Sequence, residues 1–243
     1  MTFRFVPAGD SVLVVEGPDR LDVEVNRAVI QLAEAMQGAG LRGVRDIVPS
    51  YRSVAIYFDP LLVERVAVET RARHEIGRLS ALDTARDDPE NVEASAEASP
   101  EGRSRIRVPV CYGGEHGPDL PEVAALTGVN EAEVVSRHAG RVYRVYMLGF
   151  LPGFAYLGTV DERIAAPRRS SPRVRVPVGS VGIAGVQTGI YPVESPGGWQ
   201  LIGRTPLRPF DWRRVEPCLF RAGDEVEFYP ITEAECSRIG GFT

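Results

Sequence analysis

The sequence contains no lysine, because all 28 of its basic residues are arginine. A P-loop requires a lysine on the β- and γ-phosphates of its nucleotide, and Schiff-base chemistry requires a side-chain amine. The chain acting alone can therefore be neither a P-loop nucleotide-binding protein nor an enzyme that forms a Schiff base through its own lysine. It also offers no side chain to which biotin could be attached, so we expect no biotin on this chain.

The sequence also lacks a basic excess and long apolar runs, and it contains only three cysteines. A net charge of −5 and a pI near 5.4 argue against general nucleic-acid binding, which normally requires a basic excess. No apolar run approaches the roughly 20 residues that span a bilayer, and the start does not resemble a signal peptide. The cysteines are odd in number and widely spaced, which indicates reduced thiols and a cytoplasmic protein. They are Cys111, Cys218 and Cys236.

The first part of the chain has the pattern of a small α+β domain, for which we predict the bounds 1–86. Strands are predicted at 3–6 and 11–16, and a hairpin is predicted around Pro49. Apolar residues at helical spacing predict one helix over roughly 21–36 and a second that begins at Pro60. The second helix is expected to place these residues in the core: Leu61, Leu62, Val66, Val68 and Leu79. Two helices would cover one face of a small antiparallel sheet.

An acidic segment follows this domain. Residues 87–102, "DDPENVEASAEASPEG", include six acidic side chains, no basic one and a single large apolar one, Val92. Such a composition cannot bury enough surface to offset the entropy of ordering. The sequence therefore predicts a flexible linker over 87–104.

The second domain, over 105–243, is predicted to be mainly β. It opens with the strand "RIRVPVCY" and two short helices, the first capped by Asp119 and the second by Asn130 with Glu133. Short strands separated by glycine or proline follow, which favours a closed or nearly closed barrel. Glycines at 185, 189 and 203 are expected to permit sharp bends and close backbone approach.

Two loops of this domain concentrate polar groups. The first carries Glu115, His116 and Asp119, and its backbone N–H groups suit an anion or a carbonyl oxygen, although an ordinary capped turn has the same pattern. A glutamate beside a histidine is not metal-ligand spacing, so no metal site is predicted. His138, near a helix end, is either a cap, a packed side chain or a catalytic group.

An arginine cluster forms the second polar loop, "APRRSSPRVRVP", which contains Arg168, Arg169, Arg173 and Arg175. It is either a solvated strand edge or an anion site, because guanidinium groups bind carboxylates and phosphates in bidentate fashion. The chain has no GxSxG, HExxH or Ser-His-Asp pattern, and no GxGxxG opens a helix. Spacing alone therefore predicts only a binding barrel with a polar cleft.

Three long motifs in order carry a family resemblance: "YGGEHGPDL", "RVYRVYMLGFLPGFAYLG" and "VPVGSVGIAGVQTGIYPVESPGGWQLIGRTP". They resemble the B-type subunit of 5-oxoprolinase, a family also described as allophanate hydrolase subunit 1 or the KipI-type kinase inhibitor. The resemblance implies a cyclophilin-like barrel and two partners, a homologous second subunit and a third subunit. It implies ATP-dependent opening of 5-oxo-L-proline to L-glutamate, with ATP, together with Mg²⁺, bound by the assembled complex.

The resemblance also suggests functional residues at the positions that match its motifs. Catalytic proton transfer is assigned to His138 or Glu115. The substrate-binding set is Asp119, Arg168, Gln187, Thr188, Tyr191, Trp199 and Arg204. Within this set the arginines would hold a carboxylate or phosphate, Gln187 and Thr188 would bond the amide, and the aromatic rings would form the pocket wall. Ala155 departs from the family's more frequent proline, which alters a turn only.

Two other functions remain open at this point. A KipI-type inhibitor would bind a histidine kinase and show no turnover in any assembly. A carboxyltransferase, or an allophanate-hydrolase-associated subunit of urea and amide metabolism, would require biotin on another chain.

Overall fold

The structure, a computed structural model, describes residues 1–86 and 105–239. The chain divides into two compact units, residues 1–102 and 103–243. The predicted linker over 87–104 lies outside the described residues, so its flexibility stays a prediction.

The first unit is a four-stranded antiparallel sheet with two helices. In chain order its elements are β1 (Arg4–Pro7), β2 (Val12–Glu16), α1 (Val23–Gly38), β3 (Val44–Pro49), β4 (Ser53–Phe58) and α2 (Arg65–Arg86). The strands are ordered β1-β2-β4-β3. The predicted small antiparallel sheet with two helices is thus confirmed.

Helix α1 begins where the sequence provides a cap. The Asp22 carboxylate accepts hydrogen bonds from the backbone N–H groups of Glu24 and Val25 at 2.8 and 3.2 Å. The predicted apolar face then packs on the sheet, with Val29 and Met36 buried against Ile56.

The prediction for the start of helix α2 is wrong. The helix begins at Arg65, and Leu61, Leu62 and Val66 are exposed. Asp59 sets this boundary, because its backbone carbonyl accepts from the N–H groups of Leu62 and Val63 and forms a turn beyond β4. The core contacts of α2 instead include Val68, as predicted.

The second unit contains the remaining elements. They are β5 (Arg105–Tyr112), α3 (Leu120–Thr127), α4 (Glu131–Ala139), β6 (Val142–Leu148), β7 (Ala155–Gly158), β8 (Arg173–Val176), β9 (Ser180–Ala184), β10 (Gln187–Ile190), β11 (Ser195–Gly197), β12 (Gln200–Arg204), β13 (Glu225–Pro230) and α5 (Glu233–Ile239), with a 3-10 turn at Glu162–Ile164. None of the helices in the described ranges has the length and apolarity that a bilayer-spanning helix requires.

Seven of these strands close into a barrel in the order β10-β7-β6-β13-β5-β12-β9. Antiparallel pairing of β9 with β10 completes the ring, while β13 and β5 pair in parallel. Strands β8 and β11 form a separate two-stranded sheet. The predicted barrel is confirmed, and its cyclophilin-like character stays a prediction.

Close backbone approach explains a glycine of the barrel. A Cβ atom on Gly203 would lie 2.6 Å from Val110 Cγ1 and 2.9 Å from the Cys111 carbonyl oxygen. No side chain fits there, so strand β12 needs glycine where it meets β5. The apolar side chains around it fill the barrel interior, among them Val108, Val145, Leu157, Ile183 and Phe228.

The two helix caps of this unit differ from each other. Asn130 accepts from the Glu133 backbone N–H at 2.8 Å and caps α4 as predicted, but the Glu133 carboxylate accepts from Arg137 at 2.7 Å instead of completing a capping box. Asp119 precedes α3 but makes no capping hydrogen bond through its side chain. The capping prediction for Asp119 is therefore wrong, because its carboxylate has other partners, which lie beside the cleft.

Candidate functional site

An open cleft of about 400 Å³ lies beside the barrel, where the loop after β6 meets the segment that carries β11. Its volume is within the range of small-molecule sites. Most of its surface is apolar or aromatic, and the lining residues are Phe150, Leu151, Phe154, Tyr156, Arg168, Pro172, Tyr191, Ser195, Pro196, Gly197, Gly198 and Trp199. Of the nine candidate residues proposed from the sequence, Arg168, Tyr191 and Trp199 meet here.

The aromatic wall of the cleft is held rigidly around Phe154. Its buried ring meets Tyr191 and Trp199 edge to face, with ring centroids 5.3 and 5.5 Å apart. Such pairs add about 0.5–1.5 kcal/mol beyond their area burial. Phe150 lies at the rim with a φ of 68°, a left-handed conformation that aromatic residues rarely adopt and that occurs often at functional sites.

The phenols of the cleft stay neutral at physiological pH. Burial raises the pKa of Tyr191 above its usual range, against the smaller opposing effects of the Trp199 backbone N–H and the Arg168 charge. Burial likewise raises the pKa of Tyr156, again opposed by Arg168. The wall therefore presents uncharged rings.

Arg168 is the one charged side chain among the lining residues. The residue is exposed and makes no hydrogen bond or ion pair with any other described residue. Its neighbours are fixed, because the Pro167 carbonyl accepts from Gln200 Nε2 at 3.3 Å and the Arg169 N–H donates to the Gly198 carbonyl at 2.8 Å. The guanidinium thus remains available to an anion beside an apolar wall.

Ser195 adds a polar group that the sequence interpretation missed. It is 8% exposed, and its buried Oγ has no hydrogen-bond partner among the described residues. A buried hydroxyl without a partner is costly, which makes it a candidate for bonding a ligand in the cleft. The sequence signal was only its position before the Pro196-Gly197-Gly198 turn.

A buried carboxylate stabilises the loop that carries Arg168. Asp119 Oδ1 accepts from Arg169 Nη1 at 2.9 Å and from Arg173 Nη2 at 2.6 Å, while Oδ2 accepts from the Leu201 backbone N–H at 2.7 Å. Asp119 is 2% exposed. It therefore joins the arginine loop to β12, and it does not itself line the cleft.

Asp119→Asn is expected to destabilise the second unit by about 2–4 kcal/mol, because removing one partner leaves two arginines without their shared anion. Urea denaturation followed by tryptophan fluorescence measures this, since both tryptophans lie in the second unit. Glu122→Gln is the matched control. Glu122 is half-exposed and contacts Arg169 at 3.1 Å, so its loss should cost less than about 1 kcal/mol. Equal effects of the two substitutions would contradict this role of Asp119.

His138 lies inside the barrel core. Its Nε2 is 2.8 Å from Thr188 Oγ1, and its Nδ1 is 2.7 Å from the Tyr112 hydroxyl. The Thr188 hydroxyl donates to the Gly182 carbonyl at 3.0 Å, so it accepts from His138 Nε2–H. Nδ1 consequently accepts from Tyr112, and both ring nitrogens of the neutral imidazole are occupied.

Burial lowers the pKa of His138 to about 3, so the ring is neutral at physiological pH. It also packs against Phe228, with ring centroids 4.6 Å apart. These contacts favour a structural role for His138 and for its partner Thr188. Their predicted catalytic and amide-binding roles stay predictions.

The other predicted residues also lie outside the cleft lining. Gln187 begins strand β10 at its pairing with Gly158, and Arg204 Nε donates to the Val178 carbonyl at 2.8 Å. Burial lowers the pKa of Arg204 from its usual value. Glu115 is largely exposed and lies near His116. The structure therefore separates the predicted set into a cleft group and groups elsewhere on the barrel.

Comparison with known proteins places this architecture in a family. The sequence profile of the carboxyltransferase domain, subdomains C and D, matches residues 3–220. The B-type subunit of 5-oxoprolinase from Bacillus subtilis (strain 168) is 41% identical over 238 residues, which cover 97% of this chain and 96% of that protein. The chain belongs to the family of 5-oxoprolinase B-type subunits. The family resemblance inferred from the sequence motifs is thus confirmed.

Solved structures have the same fold, and in two of them it forms only part of a longer chain. The crystal structure of TTHA0988 is 35% identical with a TM-score of 0.72, and the match covers 91% of this chain and 40% of that one. The K. lactis urea amidolyase has a TM-score of 0.71 at 20% identity, covering 98% of this chain and 15% of that one. The fold of this 5-oxoprolinase family therefore also occurs within much longer chains.

Proposed function

We propose that the chain is a subunit of an ATP-dependent 5-oxoprolinase and that its cleft holds 5-oxo-L-proline. The observation that carries the proposal is the combination of a rigid aromatic wall with a single arginine that has no ion-pair partner among the described residues. The names of its relatives support the same reaction.

The chemistry of the substrate complements this cleft. 5-Oxoproline has a small lactam ring, whose faces suit contact with Trp199 and Phe154, and one carboxylate, which suits bidentate bonding to Arg168. Ser195 Oγ is the candidate hydrogen-bond partner for the amide. A neutral arrangement results once the carboxylate has bound, because the surrounding phenols carry no charge.

Opening the lactam breaks its C–N bond and adds water to the carbonyl carbon, giving L-glutamate. The amide is a poor electrophile, and transfer of a phosphoryl group from ATP to its oxygen would make it reactive, releasing ADP and then phosphate. We place ATP and Mg²⁺ binding on partner subunits. This chain has no lysine, and the one cationic group of its cleft is assigned to the substrate carboxylate.

The proposal requires partners, namely a homologous second subunit and a third subunit, and predicts no turnover by the isolated chain. The test is glutamate release from 5-oxoproline by this chain co-purified with its partners. We expect release that needs ATP and stops when this chain is omitted. No release from an intact, folded complex would overturn the proposal.

Carboxyl transfer is the second candidate function, because the matching profile is that of a carboxyltransferase domain and urea amidolyases are distant relatives. It would require biotin on a partner, since this chain has no lysine. The same complex distinguishes the two: carboxyl transfer would be inhibited by avidin, and 5-oxoproline hydrolysis would not.

A further inference from the structure

We propose a site for a zinc-class divalent cation on the second unit, formed by Glu115, His116 and Glu233. One potential ligand atom from each of these residues lies within 4.8 Å of the other two. None of the three residues lines the cleft, so this proposal does not depend on the function proposed for the cleft.

The distances match metal ligation better than hydrogen bonding. His116 Nε2 is 3.7 Å from Glu115 Oε1 and 3.5 Å from Glu233 Oε1, both longer than an ordinary N–H···O hydrogen bond. Zinc binds imidazole nitrogen and carboxylate oxygen at about 2.0–2.2 Å, so neighbouring ligands of a tetrahedral ion are about 3.4 Å apart. The two glutamates, 79% and 72% exposed, can make the small adjustment that remains.

The segment before α5 is hydrogen-bonded to strand β5, and the loop that carries the other two ligands directly follows β5 and is closed by its own hydrogen bond. The Ile231 N–H donates to the Val110 carbonyl at 2.9 Å, immediately before helix α5. On the other segment, the Gly117 N–H donates to the Gly113 carbonyl at 2.8 Å, and the His116 side chain is only 10% exposed. The backbone around the site is therefore formed before any ion binds, and a cation would connect α5 to the loop 113–117.

The first turn of α5 directs one of its two glutamates to this site. Glu235 is occupied by a capping box, because its carboxylate accepts from the Thr232 N–H at 2.7 Å while Thr232 Oγ1 accepts from the Glu235 N–H at 3.2 Å. Glu233 instead approaches the histidine. Two carboxylates that converge on one imidazole repel each other, and a divalent cation between them would offset that repulsion.

The ligand types indicate the class of metal. One imidazole and two carboxylates suit zinc or a similar transition ion, whereas calcium takes six to eight oxygen ligands. The Cys111 and Cys236 thiols do not belong to this cluster of ligand atoms. Three protein ligands leave a fourth position for water or another small ligand.

Zinc titration of the chelator-treated full chain, followed by calorimetry, tests the site. We expect one saturable site, with affinity reduced at least tenfold by His116→Ala and by Glu233→Gln. Glu233 is exposed, so Glu233→Gln should fold normally. If His116→Ala fails to fold, the Glu233→Gln variant still tests the site. His74→Ala is the matched control, because His74 Nδ1 lies 3.5 Å from a single carboxylate, that of Glu75, in the first unit.

Cobalt absorption adds a readout of the ligand set, since four-coordinate cobalt absorbs more strongly than the six-coordinate ion. Loss of the strong bands in the Glu233→Gln variant, with the bands retained in His74→Ala, would support the site. Absence of saturable zinc binding would overturn it. Binding that His116→Ala leaves unchanged, or that thiol alkylation abolishes while the imidazole is intact, would overturn it as well.

Discussion

Arg168→Gln in the assembled complex is expected to raise the KM for 5-oxoproline about 10- to 100-fold with little change in kcat. A hydrogen bond between charged groups contributes about 1.5–3 kcal/mol, which corresponds to that range. The carboxylate is remote from the reacting amide, so its contact with Arg168 should be equally strong in the ground state and in the transition state. Loss of such a contact raises KM and leaves kcat unchanged.

Arg175→Gln is the matched control for that measurement. Arg175 lies on the neighbouring strand β8, is exposed and pairs with Glu194 at 2.8 Å, and it does not line the cleft. Its substitution should change the KM for 5-oxoproline by no more than about twofold, because exposed ion pairs contribute little to stability. If both variants behave like the unchanged chain, Arg168 does not bind the substrate carboxylate.

Acid is expected to destabilise the barrel through His138 well before most carboxylates titrate. The folded state holds the pKa of His138 at about 3, whereas its ordinary value is 6.5. Between these values the unfolded chain binds a proton that the folded chain excludes. The stability contributed by the neutral ring is therefore complete above pH 6.5 and is lost as the pH falls. The free energy of unfolding should drop by about 1.4 kcal/mol per pH unit, or about 2 kcal/mol between pH 6.5 and 5.

Denaturation curves from tryptophan fluorescence measure this in the second unit, which contains both Trp199 and Trp212. His138→Gln should retain a donor and an acceptor for the core and remove most of the pH dependence in that window. The folded state lowers the pKa of Asp161 and Glu235, so these groups act at lower pH and do not obscure the result. Equal pH slopes for both proteins would refute the buried neutral histidine.

Local sequence patterns were sufficient to predict the small sheet with its two helices and the barrel, but they did not predict helix α5. Helix α1 follows its apolar spacing and its Asp22 cap, and the barrel follows short strands that glycine and proline interrupt. Helix α2 shows the limit of such patterns. The spacing of Leu61 and Leu62 is that of core residues, but both are exposed, because hydrogen bonds of Asp59 with the following backbone form a turn there. A hydrophobic pattern does not show whether a local turn or a helix forms at such a position.

The site depended on contacts between distant parts of the chain. Arg168, Tyr191 and Trp199 were selected from family motifs, and they do share a cleft. His138 could not be assigned from sequence, because its environment comes from Tyr112 on β5 and Thr188 on β10. Glu115 and His116 lacked metal-ligand spacing by themselves, and only the fold brings Glu233 beside them.

The most direct test of the central claim is whether 5-oxoproline binds against Trp199. The chain is labelled with 5-fluorotryptophan, carries Trp212→Phe so that one fluorine signal remains, and is assembled with unlabelled partners. We predict a saturable shift of that signal with 5-oxoproline, and at least tenfold weaker binding of 2-pyrrolidinone, which has the lactam but no carboxylate. An unchanged Trp199 signal, from a complex that still releases glutamate, would contradict the account and place the substrate elsewhere.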